Sequence, residues 1–204
     1  MQGILGLPEN LEMIEWRTIF WWLALQILVL LAAGYQESNF LEKNRTFYLI
    51  RYSSMRQWWG AMWKETLGRT LFLQLLVSVI TIFYFQVFGL HNANGYACSI
   101  IDIGCALFLW GMSGIMLVCL QGWLMWYTES IKITELGMIV LLLGILLIPR
   151  RWCMYYPISW GMWLRSRFYM VDGFSPFWCA GIELLISLAV CCFGYRRRKG
   201  RSER

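Results

Sequence analysis

Residues 45–69 read RTFYLIRYSSMRQWWGAMWKETLGR, a basic and tryptophan-rich segment between two long apolar runs. From Ser53 onward its large apolar side chains recur every three or four residues, which places them on one stripe of a helix. They are Met55, Trp58, Trp59, Met62, Trp63 and Leu67, and the polar remainder includes Arg56, Gln57, Lys64, Glu65 and Arg69. Because tryptophan prefers the headgroup level of a bilayer and arginine prefers anionic surfaces, the pattern predicts an amphipathic helix lying flat on a membrane.

The composition around this segment is that of an integral membrane protein. Of 204 residues, 59% are hydrophobic and 15% are charged, unlike a soluble domain. The net charge of +6 comes from basic residues beside apolar runs, a pattern that orients membrane proteins. We therefore expect membrane lipids, and no nucleic acid, as partners. Glu9, Glu12 and Glu15 precede the first apolar run, where a cleavable signal peptide would carry basic residues, so that run is expected to be retained.

Five apolar runs predict an all-α polytopic protein with five transmembrane helices in one domain, residues 1–204. They cover residues 19–36, 71–90, 100–127, 133–148 and 174–195. Between them we expect a surface segment at 1–18, a cytoplasmic amphipathic coupling segment at 37–70, an outer loop at 150–173 and a basic tail at 196–204. Residues 152–171 are aromatic but interrupted by Pro157 and Gly161, which favours an interfacial or re-entrant loop. A crossing there would make six spans and stays open.

The distribution of lysine and arginine predicts the orientation of these spans. The coupling segment, the link after the third span and the tail together hold 13 basic residues, against 5 on the other side. Since basic loops stay in the cytoplasm, we expect a multi-pass protein of the plasma membrane with a cytoplasmic carboxyl terminus. His91 and the loop that carries Arg165 and Arg167 are then outside.

A resemblance follows from the residues around the first two spans. Residues 44–53 read NRTFYLIRYS and residues 55–59 read MRQWW, and this order resembles the cytoplasmic elbow of membrane subunits of type 2 ABC exporters, which often read Arg-Tyr-x-Ser-Arg-x-x-Trp-Trp. The outer loop with Pro157 and WLRS at 163–166, the last span and the basic tail are similar to the carboxyl half of those permeases. The likeness is to small bacterial subunits linked to peptide antibiotic export or bacteriocin immunity. Those permeases usually have six spans, whereas here only the short segment 1–16 precedes the first run.

The resemblance implies a permease that moves a peptide or amphipathic compound with a separate ATPase subunit. The sequence contains no GxxxxGK[ST] phosphate loop, so the chain itself is not expected to be an enzyme or to hold a cofactor. ATP and Mg would be bound by an ABC ATPase partner, beside a second permease subunit that is a self-copy or a homologous chain. The candidate partner-coupling residues are Arg51, Arg56, Trp58, Trp59 and Trp63.

Two alternatives compete with this interpretation. The basic segment could act only as a lipid anchor, because each juxtamembrane Lys or Arg gains about 1 kcal/mol near anionic headgroups without any partner. The chain would then be a non-transporting membrane scaffold, or an immunity or helper protein that binds a partner through its tryptophan-rich helix.

Two carboxylates lie inside apolar runs, where an ionised group is costly unless it faces a partner or a cavity. Glu183 in the last span and Asp102 near the outer end of the third are candidate residues of a substrate path. The simpler expectation pairs Glu183 with Arg165 or Arg167. Gly104, Gly111, Gly114 and Gly122 in the third run are expected to allow close helix packing, without a ligand.

Catalytic and metal-binding patterns are missing from the sequence. The single histidine, His91, lies in a turn, so no pair of histidine ligands exists for zinc. The 7 cysteines include no CxxC pair and are expected to be small buried apolar residues. An outer disulfide among Cys98, Cys153 and Cys179 is the alternative.

Overall fold

The computed structural model describes residues 9–40, 54–87, 100–128, 130–147, 152, 155–162 and 175–193. These residues form α-helices and short 3-10 helices, with no strand among them, so the all-α prediction is confirmed for this part of the chain. The helices are α1 (Glu9–Ser38), α2 (Met55–Val87), α3 (Ile100–Thr128), α4 (Ile131–Leu143) and α5 (Pro176–Phe193), with 3-10 helices at Gly144–Leu146 and Pro157–Gly161.

Helices α1 and α2 are longer than the runs that predicted them. The surface segment and the first span were expected as separate pieces, but α1 is unbroken from Glu9 to Ser38. The coupling segment and the second span likewise share the single helix α2 from Met55 to Val87. No proline lies in either helix, and a change from charged to apolar composition alters the surroundings of a helix without ending it.

The start of α2 is fixed by a side-chain cap. The hydroxyl of Ser54 accepts a hydrogen bond from the backbone N–H of Gln57 at 3.3 Å, which satisfies one of the free N–H groups in the first turn. The helix therefore begins within the tryptophan-rich segment, and residues 41–53, including Arg51, lie outside the described residues.

Helix α3 is the centre of the bundle. It contacts α1, α2, α4, α5 and the 3-10 helix Pro157–Gly161, and α1 also packs against α2 and α4. Leu117, Val118 and Cys119 of α3 are fully buried. The bounds predicted for this run, 100–127, agree with those of α3. An uninterrupted apolar run followed by a charged link defines both ends of a helix clearly.

Helix α4 is shorter than the apolar run that predicted the fourth span. Helix α4 ends at Leu143 and continues as a 3-10 turn, and α5 covers Pro176–Phe193 within the run 174–195. Part of the outer loop packs into the bundle: Ile158 and Trp160 are buried, and the indole N–H of Trp22 donates to the carbonyl of Gly161 at 3.2 Å. By length and composition, one helix in the described ranges, over Ile103–Thr128, could cross a membrane, and a shorter apolar helix lies at Pro176–Cys192.

Candidate functional site

The tryptophan stripe of α2 is buried inside the protein. Trp58, Trp59 and Trp63 are 1%, 2% and 4% exposed, whereas Arg56 and Lys64 on the other side of the helix are exposed. The predicted amphipathic pattern is therefore confirmed from Arg56 to Lys64. The prediction that this apolar face lies against lipid headgroups is wrong, because other helices of the chain contact it.

Four indoles form what we call the tryptophan cluster: Trp58, Trp59, Trp63 and Trp126. The ring of Trp126, from α3, lies 5.5 Å from Trp58 and 5.2 Å from Trp59 between centroids, and Trp59 meets Trp63 edge to face at 5.6 Å. The indole N–H of Trp59 donates to the carbonyl of Cys191 in α5 at 2.8 Å. Tilted aromatic pairs at these separations add about 0.5–1.5 kcal/mol each beyond their buried area, so the first turns of α2 are held against α3 and α5.

The opposite face of the same turns carries two unpaired cations. Among the described residues, neither Arg56 nor Lys64 takes part in an ion pair, whereas Arg69 pairs with Glu65 one turn away at 2.6 Å. Residues 56, 60 and 64 lie four apart, on one side of the helix. This polar face, with Gly60 between the two cations, is open to solvent or to a partner.

Glu37 is buried beside the tryptophan cluster, away from any polar partner among the described residues. Its side chain is fully buried, and neither carboxylate oxygen has a hydrogen-bond partner in the described part of the chain. Burial raises the pKa of the Glu37 carboxyl well above its ordinary value. The carboxylate lies against Gly122, where a Cβ atom would come within 2.8 Å of Oε1 and 2.6 Å of the Trp63 ring.

A second group of buried polar side chains lies deeper in the bundle. The amide of Gln26 donates to the carbonyl of Trp110 at 3.3 Å, and that of Gln74 donates to the carbonyl of Gly111 at 3.1 Å. A Cβ atom at Gly114 would collide with the Gln74 amide, so the Gln74 side chain fits there only because residue 114 is glycine. The prediction of close packing is confirmed at Gly114 and Gly122, whereas Gly104 has open space around it.

The two predicted path residues lie on different helices. Glu183 in α5 is fully buried, and both of its oxygens lack partners among the described residues. It lies one turn from Cys179, which packs with Leu109 and Trp160. Asp102 is in the first turn of α3, and its side chain lies outside the described set. The alternative partners of Glu183, Arg165 and Arg167, are outside it as well.

The described residues hold no group of three or more His, Cys, Asp or Glu side chains that could bind a metal ion. Cys119 and Cys191 lie with their sulfur atoms 3.7 Å apart between α3 and α5. Cys179 is buried and free, and Cys98 and Cys153, the other members of the predicted outer disulfide, lie outside the described residues.

Sequence reasoning found Glu183 but missed three other fully buried polar side chains, Glu37, Gln26 and Gln121. Glu37 follows the first apolar run in a polar stretch and was assigned to the cytoplasmic segment, although the structure encloses it. Gln26 and Gln121 lie inside apolar runs, and a strongly polar residue in such a run is a signal for a buried contact. That signal was present at both positions.

Comparison of this chain with family models, characterised proteins and solved structures gave no match in any of the three. The geometry above and the sequence resemblance are therefore the basis for its function.

Proposed function

We propose that this chain is a multi-pass protein of the plasma membrane with five spans, and that it acts as the membrane subunit of a type 2 ABC exporter. The single observation that carries the membrane assignment is the reversed polarity of the bundle. On α2, Phe72, Leu75, Val79 and Phe83 are each at least 63% exposed and share one face. Inside the bundle, Gln26, Gln121, Glu37 and Glu183 are fully buried. In water, the exposed apolar face of α2 would promote aggregation. In lipid, an apolar outer surface and polar contacts between helices are both favourable.

The arrangement of helix ends supports the same topology. The tryptophan cluster joins the start of α2 to the end of α3, and Phe40, just after α1, packs into it. Val190 and Cys191 near the end of α5 pack there too. Helices α1, α3 and α5 end at this side, and α2 and α4 begin there, as five alternate crossings require. It is also the side on which the charge distribution predicts the cytoplasm.

The unbroken helix α2 supports a coupling role. Its 33 residues extend about 50 Å at 1.5 Å per residue, more than the ~30 Å hydrocarbon core. The length of α2 beyond the hydrocarbon core matches the turns from Arg56 to Lys64. These turns would extend the helix of the second span into the cytoplasm. Because the tryptophan cluster holds these turns against α3 and α5, a push on their polar face would reach three helices together.

In this proposal the residues of the coupling segment have different roles. Arg56, with Arg51 before it in sequence, would contact an acidic surface of the ATPase subunit, which binds ATP and Mg. Trp58, Trp59 and Trp63 would position the arginines and not touch the partner, since they are buried. The transported compound would be a peptide or another amphipathic molecule, and a second permease subunit would complete the path.

The experiment that tests the proposal is purification in mild detergent with photolabelling of co-eluting protein by an azido-ATP analogue. A nucleotide-binding subunit in stoichiometric amount is expected, and the chain reconstituted alone should not hydrolyse ATP. Arg56→Lys should reduce retention of that subunit, because lysine lacks the planar multidentate guanidinium. Arg69→Lys is the matched control, since Arg69 is exposed on the same helix and bonded to Glu65. A folded chain that retains no nucleotide-binding subunit would instead identify a non-transporting scaffold or immunity protein.

A further inference from the structure

Two thiols meet at the edge of the tryptophan cluster. The sulfur atoms of Cys119 in α3 and Cys191 in α5 are 3.7 Å apart and share a hydrogen bond. The other described cysteines, which form no such contact in the described part of the chain, are Cys105, Cys179 and Cys192. Within the described ranges this pair is therefore the place where two thiols can react with each other.

The two thiols differ in their access to solvent. Cys119 is fully buried, whereas Cys191 is partly exposed and lies two residues before the end of α5 at Phe193. In the proposed topology this end of α5 is at the cytoplasmic surface of the membrane, where small water-soluble oxidants and thiols are present. Such an oxidant reaches Cys191 first, and Cys119 is placed to react with the product.

The resting state of the pair is reduced. Both cysteines are free in this structure. Disulfides on the cytoplasmic side of a membrane are usually transient and often redox-sensing, because cytoplasmic thiols reduce them. A separation of 3.7 Å is a non-bonded contact, and it is near the ~3–3.5 Å of atoms poised to react. A bond between the two sulfur atoms therefore needs a small movement and an oxidant.

We propose that Cys119 and Cys191 form a reversible redox switch whose oxidant is a hydroperoxide, and that the disulfide locks α3 to α5 at the tryptophan cluster. With hydrogen peroxide, the sulfur of Cys191 attacks one oxygen, the O–O bond breaks, and a sulfenic acid and water form. The sulfur of Cys119 then attacks the sulfenic sulfur. The S–S bond forms, the S–O bond breaks, and the hydroxyl group leaves as water with the Cys119 proton.

The electrons and the reverse reaction also balance. The two cysteines lose two electrons, which reduce one peroxide to two molecules of water. Two molecules of a cytoplasmic monothiol such as glutathione restore the pair through a mixed disulfide and become a disulfide themselves.

The bridge would act directly on the tryptophan cluster. Cys119 packs in the same buried group as Trp58, Trp59 and Trp63, and the indole N–H of Trp59 donates to the carbonyl of Cys191 itself. A covalent bond at this point stops α3 and α5 from separating beside the first turns of α2. Those turns then open less often, which slows the exchange of their backbone amide hydrogens.

The first test treats the purified chain with hydrogen peroxide in phosphatidylcholine nanodiscs. Cys192→Ser is the background, because it removes the thiol next to Cys191 and makes peptide mass spectrometry unambiguous. An intrachain peptide that joins Cys119 to Cys191 is expected, and glutathione should reduce it. Cys179→Ser is the matched control, since it removes a buried thiol without a sulfur neighbour and should leave the bridge unchanged.

Single substitutions in the same background separate the roles of the two thiols. Cys119→Ser should leave a sulfenic acid on Cys191 that dimedone traps, whereas Cys191→Ser should leave Cys119 unlabelled. Absence of the bridge, a bridge that glutathione does not reduce, or dimedone labelling of Cys119 would overturn the switch.

Hydrogen exchange measures the lock. Oxidation should slow exchange about tenfold in peptides from residues 55–67, because they open only when the cluster separates. Cys119→Ser should abolish this change. A bridge that forms without slower exchange would overturn the locking of the helices.

The effect on transport rests on the proposed function, whereas the switch does not. In the purified complex, ATP hydrolysis should be lost on oxidation while the ATPase subunit stays bound, and glutathione should restore it. The Cys119→Ser complex should stay active in peroxide, and unchanged hydrolysis by the oxidised natural complex would overturn the regulatory effect. A reversible bridge with slower exchange, in a chain that retains no ATPase subunit, would keep the switch and reject the exporter.

Discussion

At Gly122 the backbone of α3 is in direct contact with side chains from two other helices. Trp63 of α2 and Glu37 of α1 both occupy the space where a Cβ atom would be. Both are parts of larger packed units, because Trp63 belongs to the tryptophan cluster and Glu37 is fully enclosed. Neither can move away without disturbing its neighbours, so this position should tolerate no larger residue.

We therefore predict that Gly122→Ala destabilises the protein. Overpacking of a well-packed interior costs about 1–3 kcal/mol, which corresponds to a Tm lower by about 2–4 °C per kcal/mol for a chain of this size. Thermal unfolding in detergent measures it. Gly104→Ala is the control on the same helix, since nothing lies within 4 Å of a Cβ atom there. Equal Tm values for the two variants would contradict the contact.

Glu37 makes stability depend on pH in a direction opposite to that of an ordinary paired carboxylate. Its pKa in the folded chain lies well above the ordinary 4.5, because burial disfavours the charged form. The folded chain therefore binds this proton more tightly than the unfolded chain. The contribution of Glu37 to the free energy of unfolding is therefore fully present below pH 4.5, and it is lost as the pH rises through the raised pKa.

Glu37→Gln should remove this dependence, because glutamine has the same shape and no charge to bury. We expect a higher Tm than that of the natural chain at pH 8, and a difference that shrinks on acidification. Glu65→Gln serves as the exposed control and should show no such trend. A Glu37→Gln variant that is less stable at pH 8 would mean that the carboxylate is ionised and bonded in the folded protein.

At the scale of helices, two cysteines face each other across the contact between α3 and α5. The sulfur atoms of Cys119 and Cys191 are in non-bonded contact at 3.7 Å, so a small movement of the two side chains would bring them to the ~2.05 Å of a disulfide bond. The neighbouring Cys192 is exposed and points away from this contact. The packing of these two helices can thus be tested with native residues.

We predict that copper phenanthroline joins Cys119 to Cys191 within one chain. Each thiol loses a hydrogen as the sulfur–sulfur bond forms, and the copper(II) complex with oxygen accepts the two electrons. Mass spectrometry of unreduced peptides should identify the bridge, and Cys192→Ser should not prevent it. Bridging through Cys192 between copies, with Cys119 left reduced, would mean that α5 is rotated relative to α3.

Much of the helical framework could be predicted from the sequence, and the reasons differ between elements. The run at 100–127 predicted α3 well, because its apolar length and its polar flanks coincide. The junction of α2 could not be predicted in the same way. The composition changes from charged to apolar near Leu71, but Arg69 and Leu71 lie in one continuous helix. The hydrophobicity of a segment indicates what surrounds it, whereas the backbone hydrogen bonds of a helix do not depend on hydrophobicity.

The tryptophan stripe illustrates a second limit. Its spacing correctly predicted one apolar face at Trp58, Trp59 and Trp63, but a spacing pattern does not specify what covers that face. Headgroups and a neighbouring helix are equally acceptable to an indole. Trp126, which completes the cluster, is more than sixty residues away in the chain, and only the tertiary packing brings it there.

On the scale of the whole molecule, polarity is arranged from the inside outward. The exposed apolar faces of α1, α2, α4 and α5 surround a core helix that holds Gln121 and contacts Gln26 and Gln74. Without a hydrophobic force between helices in lipid, small residues and hydrogen-bonded amides provide specificity. Gly114 beside Gln74 is one such contact. This arrangement accounts for a bundle that buries amides and carboxylates while exposing large apolar side chains.

The last prediction concerns the orientation of the bundle in the proposed plasma-membrane location. The charge difference of 13 to 5 predicts that Ser54, at the start of α2, and the carboxyl-terminal tail are both cytoplasmic. In a cysteine-free background, single cysteines at Ser54 and Ser202 should resist a membrane-impermeant maleimide in intact cells and react after permeabilisation. A cysteine at Asn94, in the predicted outer turn, should react in both.

The three positions test separate steps of this argument. Ser54 is exposed in the structure, so protection there reports the membrane and not burial within the chain. Ser202 and Asn94 lie outside the described residues and report the charge rule alone. Labelling of both Ser54 and Ser202 in intact cells, with Asn94 protected, would invert the molecule and place the cations of α2 where no ATPase could reach them. Labelling of both Asn94 and Ser202, with Ser54 protected, would instead require one further crossing between them, and the segment 152–171 would then be that crossing.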